Sequence, residues 1–170
     1  MGSSYRVERL ARHHLRQSFA CGVAELDRYL AQQARQDDER RVCRVWCLVE
    51  DGGSEVVGYY TLSAHTVQLA DVPAELARRL PRYPLVPAML IGRLALAAVM
   101  QGSGWGAALL ADALARCLAL SADIGAVMVV VQAKDESAAS FYARHGFRAF
   151  ADDPLALFLP LATVAGAAAS

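Results

Sequence analysis

The chain has 170 residues, of which 55% are hydrophobic, 20% charged and 8% aromatic. That is enough apolar side chain to fill one core, and it excludes wholesale disorder. Seventeen basic and seventeen acidic residues cancel, so net charge alone argues for neither a nucleic-acid nor a membrane partner. Sixteen of the basic residues are Arg and only Lys134 is Lys. Each Arg is a planar five-donor fork suited to phosphate or carboxylate, although GC-rich codon usage gives the same bias. Cys21, Cys43, Cys47 and Cys117 form no C-x-x-C pair and have no His at zinc spacing, so no metal is expected and they read as reduced, buried thiols of a cytoplasmic protein. No apolar run opens the chain as a signal peptide does, and Arg93, Gln101 and Gly104 interrupt the apolar stretch after Leu85. No membrane segment is expected.

In chain order, Tyr5 to Leu10 alternates weakly, as an edge strand does. Ala24, Leu26, Leu30 and Ala34 recur at helical spacing and predict one amphipathic helix from Val23 to about Arg40. The β-branched run Val45 to Glu50, the turn Asp51-Gly52-Gly53 and the run Val56 to Ala64 predict a hairpin. Pro73 opens a short helix to about Leu80, and Pro81, Pro84 and Pro87 impose an extended, Arg-rich surface segment. A buried strand is expected over Met89–Leu96, then a glycine turn and a long Ala/Leu helix from about Trp105 to Ser121. A strand over 126–132, a helix over 136–145 stopped by Gly146, and strand material near 147–150 and 156–161 complete the pattern. The class is mixed α/β (α+β), one domain over 1–161 with a single sheet flanked by helices; 162–170 reads as a flexible, low-complexity tail.

Chemistry concentrates in Gln101-Gly102-Ser103-Gly104-Trp105-Gly106-Ala107. A strand that ends in a glycine turn and feeds straight into a helix aims free N–H groups and the positive helix end at one spot, which suits a diphosphate. A phosphate-binding NTPase loop needs a Lys here, and a dinucleotide fold needs its glycine turn near the first strand. Neither fits. The spacing Gln101-x-x-Gly104-x-Gly106, backed by Ser140-Phe141-Tyr142-Ala143-Arg144-His145-Gly146-Phe147, resembles the GNAT superfamily of acetyl-coenzyme A N-acetyltransferases. Gly58-Tyr59-Tyr60-Thr61-Leu62, Leu80-Pro81-Arg82-Tyr83-Pro84 and Ile91-Gly92-Arg93-Leu94-Ala95, over a likeness spanning about 5–161, are similar to the GNAT toxins of type II toxin–antitoxin systems. Departures are Asp135, where Asn is usual, Cys43, where Ser is common, and Ala97-Ala98-Val99-Met100, where charges are more usual.

The resemblance implies a GNAT fold with a mostly antiparallel sheet, acetyl-CoA as co-substrate, and transfer of acetyl to the α-amino group of aminoacyl-tRNA, which blocks translation. It further implies a ribbon-helix-helix antitoxin and a homodimer. Tyr142 is then the proton donor to the departing thiolate; Leu94, Ala95 and Leu96 pair with the pantetheine arm; and Gln101, Gly102, Ser103, Gly104, Trp105, Gly106, Ala107 and Asp135 form the rest of the cofactor site. Several of these positions have structural readings too: Tyr142, Leu94 and Leu96 as core, Gln101 as a turn-positioning residue, Trp105 as a core cap. No base is legible among His13, His14, His65 and His145, and water suffices for an α-amine of ordinary pKa. Residues 1–93 carry thirteen Arg against eleven acids, a surplus of two that allows an RNA-facing patch. Arg78, Arg79, Arg82 and Arg93 are its candidates, alongside clusters at Arg6, Arg9, Arg12 and Arg16 and at Arg40, Arg41 and Arg44. Competing readings are acetylation of a small amine, an antibiotic or a protein N-terminus, and a binding module without turnover.

Overall fold

The computed structural model describes residues 2–170. Its elements follow the alternating pattern of the sequence: β1 (Tyr5–Arg9), α1 (Ala24–Gln32), α2 (Ala34–Glu39), β2 (Arg44–Glu50), β3 (Val56–Gln68), α3 (Ala74–Ala77), β4 (Leu85–Leu96), α4 (Trp105–Leu120), β5 (Met128–Gln132), α5 (Glu136–Arg144), β6 (Arg148–Phe150), β7 (Asp153–Pro160) and α6 (Leu161–Ala168). The strands are hydrogen-bonded in the order β1-β2-β3-β4-β5-β7-β6. β1/β2, β2/β3, β5/β7 and β6/β7 pair antiparallel and β4/β5 parallel. The parallel pair needs a long crossover, and α4 supplies it.

The chain forms two compact units, residues up to Ser63 with Gly92–Ala113, and Ala64–Ile91 with Leu114–Ser170. In the first, Val45, Cys47 and Val49 of β2 alternate onto one face and are fully buried with Leu30 and Ala34 of the helices. The single helix expected over 23–40 is interrupted at Gln33, whose φ of −120° and ψ of −33° leave the helical region. Backbone bonds still bridge the break, Gln33 N–H to the Tyr29 carbonyl at 2.9 Å and Asp37 N–H to the Gln33 carbonyl at 3.0 Å, and the Asp37 carboxylate accepts from the Tyr29 hydroxyl and from Gln33 Nε2, both at 2.9 Å. Asp38, 8% exposed, accepts from the Val45 N–H and from Arg9, both at 2.8 Å, and from Arg44. A buried carboxylate needs this many donors to offset its lost hydration.

In the second unit, Val86 and Ala88 of β4, Met128 and Val130 of β5 and Phe158 of β7 form the core with Val67 and Val72. Three boundaries differ from expectation. β3 runs on to Gln68, α3 stops at Ala77, and β4 begins at Leu85, because Pro87 lies at the strand's start, where a missing N–H is tolerated, and its carbonyl accepts from Val127 at 2.9 Å. Segment 162–170, read as a flexible tail, is helical as far as Ala168, with Leu161 buried at the start of that helix.

Near the first strand, Glu8 accepts from Arg6 at 2.9 Å and from His14 at 2.7 Å. These donors, Arg6 first, pull its carboxyl down to about 2. Folding therefore lowers this pKa from an unfolded value of about 4.3, so the contribution is complete above about pH 5 and is lost as pH falls through 2. The full shift corresponds to about 3 kcal/mol, which screening at a side chain 31% exposed reduces to about 1 kcal/mol. Urea midpoints between pH 7 and pH 2 are expected to fall more steeply for the natural chain than for Glu8→Gln; parallel curves would refute the assignment.

Candidate active site

The glycine turn lies in the first unit. β4 ends at Leu96, a 3₁₀ turn spans Ala98–Met100, and α4 begins at Trp105. Gly102 and Gly104 have φ of +78° and +87°, a region costly for residues with a Cβ, and a Cβ built at either meets no atom within 4 Å. The first α4 bond outside the regular ladder runs from Ala108 N–H to the Gly104 carbonyl at 3.2 Å. By helix geometry the N–H groups of Trp105, Gly106 and Ala107 therefore have no acceptor within the helix, and the 16-residue helix aims its positive end at them. The turn fits an anionic group that approaches the backbone closely.

Gln101 settles between its two sequence readings. Its Nε2 donates to the Leu96 carbonyl and to the Cys21 carbonyl, each at 2.9 Å. Both amide hydrogens are thereby used, so the side chain positions the turn. Ser103 Oγ donates to the Met100 carbonyl and braces the same turn. The Trp105 ring packs edge-on against Tyr5 of β1, centroids 4.8 Å apart. On β4, Ala95 and Leu96 are buried and Leu94 is half-buried.

Arg93 precedes these residues. Its N–H donates to Thr61 Oγ1 at 3.0 Å, and its guanidinium lies 3.5 Å from the Tyr29 ring centroid. It lines a cavity of about 320 Å³ with Glu25, Arg28, Tyr29, Gln32 and Gln33. The α1 residues of this cavity carry no motif that marks a site, although Glu25, Arg28, Tyr29 and Gln32 share one helix face at i, i+3, i+4 and i+7 spacing.

In the second unit, Tyr142 on α5 is 7% exposed, with its ring beside Phe141 and Phe147 at centroid distances of 5.3 and 5.5 Å. Burial pushes its phenol up to about 12, so the hydroxyl is protonated at any physiological pH. The chain reverses after α5 at Gly146, φ +93°, where the Phe147 N–H returns to the Tyr142 carbonyl at 3.2 Å. Asp135 caps α5: it accepts from the Ala138 N–H at 2.8 Å and pairs with Lys134, which holds its carboxyl low. As an N-cap it does what an Asn at this position also does.

The Arg clusters divide. Arg6 is engaged by Glu8 and the Glu50 carbonyl, Arg9 by Asp38, Arg16 by the Leu30 carbonyl and Arg44 by the Asp38 carbonyl. Those residues hold the fold. Arg78, Arg79 and Arg82 are exposed, with Arg78 Nε on the Ala74 carbonyl. No nucleophile emerges from the thiols: all four are free and buried, and burial raises Cys21 to about 11 and Cys47 and Cys117 to about 12. Glu8, His13 and His14 bring potential metal-ligand atoms within 4.8 Å of one another, a grouping the sequence reading did not single out. The Ala11 N–H donates to His14 Nδ1 at 2.8 Å, which leaves neutral His14 with its proton on Nε2, facing Glu8. That tautomer offers Glu8 a hydrogen bond and offers a metal no lone pair. His145 Nδ1 faces the Phe141 carbonyl, and His65 lines a groove in the second unit.

A profile of the Acetyltransferase (GNAT) domain family matches residues 41–149. The chain belongs to the GNAT acetyltransferase family. A "tRNA-acetylating toxin" of Mycobacterium tuberculosis is 36% identical over 142 residues, 84% of this chain and 83% of that protein. AtaT complexed with acetyl-methionyl-tRNAfMet shares the fold at a TM-score of 0.90 and 28% identity, over 96% of this chain and 99% of that one. A tyrosine-to-phenylalanine variant of toxin AtaT, bound to the C-terminus of the antitoxin AtaR and to acetyl-CoA, matches at 0.83 and 26% identity, over 98% and 99%. The GNAT fold with a mostly antiparallel sheet is thus the architecture of this chain, as its motifs imply, and acetyl-CoA is the co-substrate of this enzyme family. Among the described residues, no helix is long and apolar enough to cross a membrane.

Proposed function

We propose that the chain is a toxin that transfers acetyl from acetyl-CoA to the α-amino group of aminoacyl-tRNA and so blocks translation. The observation that carries this reading is the 36% identity to a tRNA-acetylating toxin over 84% of the chain. Residues 1–161 act as one catalytic domain, with 162–170 appended to it. The N–H groups of Gly102, Ser103, Gly104, Trp105, Gly106 and Ala107 receive the diphosphate, with Gln101 holding the turn in shape, and the main chain of Leu94, Ala95 and Leu96 pairs with the pantetheine amides as an added strand does. Asp135 contributes by fixing the start of the helix that carries Tyr142. When bound, acetyl-CoA supplies an acetyl thioester. The α-amine, with an ordinary pKa near 8, attacks in its neutral form and loses its proton to water. The Tyr142 hydroxyl hydrogen-bonds the departing thiolate as negative charge builds on the sulfur, and the thiolate takes its proton from solvent after it leaves.

Arg78, Arg79, Arg82 and Arg93 contact tRNA phosphates in this reading. The protein works in the cytoplasm as a homodimer, restrained by a ribbon-helix-helix antitoxin whose C-terminal segment occupies the toxin; the AtaT complex with the AtaR C-terminus supports that arrangement. The deciding experiment incubates the purified protein with acetyl-CoA and bulk aminoacyl-tRNA, digests the RNA and seeks N-acetylated aminoacyl-adenosine by mass spectrometry. Acetylation confined to free amines would replace this reading with a small-amine acetyltransferase, and absence of any coenzyme A release would leave a binding module. Arg78→Glu with Arg79→Glu is expected to weaken tRNA binding about tenfold or more at low salt, flatten its salt dependence and leave acetyl-CoA binding unchanged.

A further inference from the structure

The segment between α3 and β4 holds an aromatic side chain that neither core uses. Tyr83 is 67% exposed, an unusual position for a ring that gains most by burial. The backbone around it is stiff: Pro81 and Pro84 fix their own φ angles, and Pro84 confines Tyr83 to extended conformations. The far end of the segment is tied down, since the Leu69 N–H donates to the Pro84 carbonyl at 3.0 Å. Arg78, Arg79 and Arg82 lie within five positions of the ring, all exposed. The acidic residue of α3, Glu75, is already paired with Arg148 at 2.6 Å. The local charge is therefore positive and offered to solvent.

Resting on the tRNA reading above, we infer that Tyr83 is a stacking platform for an unpaired nucleotide of the tRNA acceptor end, with Arg79 and Arg82 on the flanking phosphates. Three properties of the segment favour a single-stranded nucleic acid. An exposed ring offers a π-face that any base can use, and neighbouring arginines track the backbone charge. A backbone stiffened by two prolines loses little main-chain freedom on binding. Tyr83 also supplies what the arginines lack, since phosphate contacts do not distinguish a paired end from an unpaired one.

The test compares two labelled RNA hairpins with identical stems, one carrying a four-nucleotide 3′ single-stranded tail and one blunt, by fluorescence anisotropy with the full-length protein. The natural chain is expected to prefer the tailed hairpin. Tyr83→Leu is expected to raise the dissociation constant for the tailed hairpin about 5- to 100-fold and leave the blunt one unchanged, and Tyr83→Phe is expected to retain the preference. A tail preference that survives Tyr83→Leu overturns the inference, as does a change of oligomeric state in Tyr83→Leu with RNA binding intact, which would assign the ring to a contact between copies. The same preparations are assayed with acetyl-CoA and bulk aminoacyl-tRNA. If the natural chain acetylates tRNA while Tyr83→Leu binds both hairpins normally, only the stacking inference fails. If the natural chain acetylates no tRNA, the functional reading fails, and the inference that rests on it fails with it.

Discussion

Replacing Tyr142 with phenylalanine is expected to lower kcat by about 10²- to 10³-fold, the range for losing one positioned hydrogen-bond donor to a developing charge, while the dissociation constant for acetyl-CoA changes less than about threefold. The ring stays: Phe keeps the contacts with Phe141 and Phe147, so the melting temperature should hold. Burial raises this phenol to about 12, and that value decides how the residue works. Complete proton transfer to a thiolate of ordinary pKa, about 8.5, is uphill by about 5 kcal/mol. Tyr142 therefore stabilises the departing sulfur mainly through a hydrogen bond, and phenolate does not accumulate. The pH–rate profile should rise through the amine's pKa near 8 and show no loss from phenol ionisation below about pH 10. An inflection between pH 8 and 10 that vanishes in Tyr142→Phe, or a Phe variant within threefold of the natural rate, would remove Tyr142 from this role.

Gly104→Val is expected to weaken acetyl-CoA binding at least tenfold with a smaller effect on stability. Two causes act together. At φ +87° a β-branched residue costs about 1–2 kcal/mol of backbone strain, which is the stability term. The new side chain meets no atom of the protein within 4 Å of its Cβ, so the fold can house it, but it projects where a diphosphate must reach the N–H groups of the turn. Calorimetric titration with acetyl-CoA, set beside thermal melts, separates the two. Binding within twofold of the natural chain would move the diphosphate away from this turn.

Much of this site was legible because its signals are local. A glycine turn between a strand and a helix declares itself through residue types a few positions apart, and Gly146 marks the end of α5 in the same way. What escaped depends on distant partners. Whether Gln101 touches a phosphate or braces the turn is decided by the Cys21 carbonyl, eighty positions away. Arg9 and Arg44 read as a basic surface until α2 places Asp38 between them. The break at Gln33 leaves the apolar spacing of 24–34 intact, so periodicity does not show it. The α1 residues beside Arg93 carry no motif, and only folding makes them neighbours of Arg93.

The Gln101 bridge bears on the kinetics of the turn. Because one side chain fastens the loop both to the end of β4 and to the Cys21 carbonyl, the loop cannot open without also loosening the segment before α1. Its order is established during folding, so an arriving anion meets a ready-made shape and association proceeds without a slow rearrangement. The hydrogen-bonded amides of the turn, Ala98, Met100 and Gln101, should accordingly exchange with solvent in step with that of Cys21, as one opening unit.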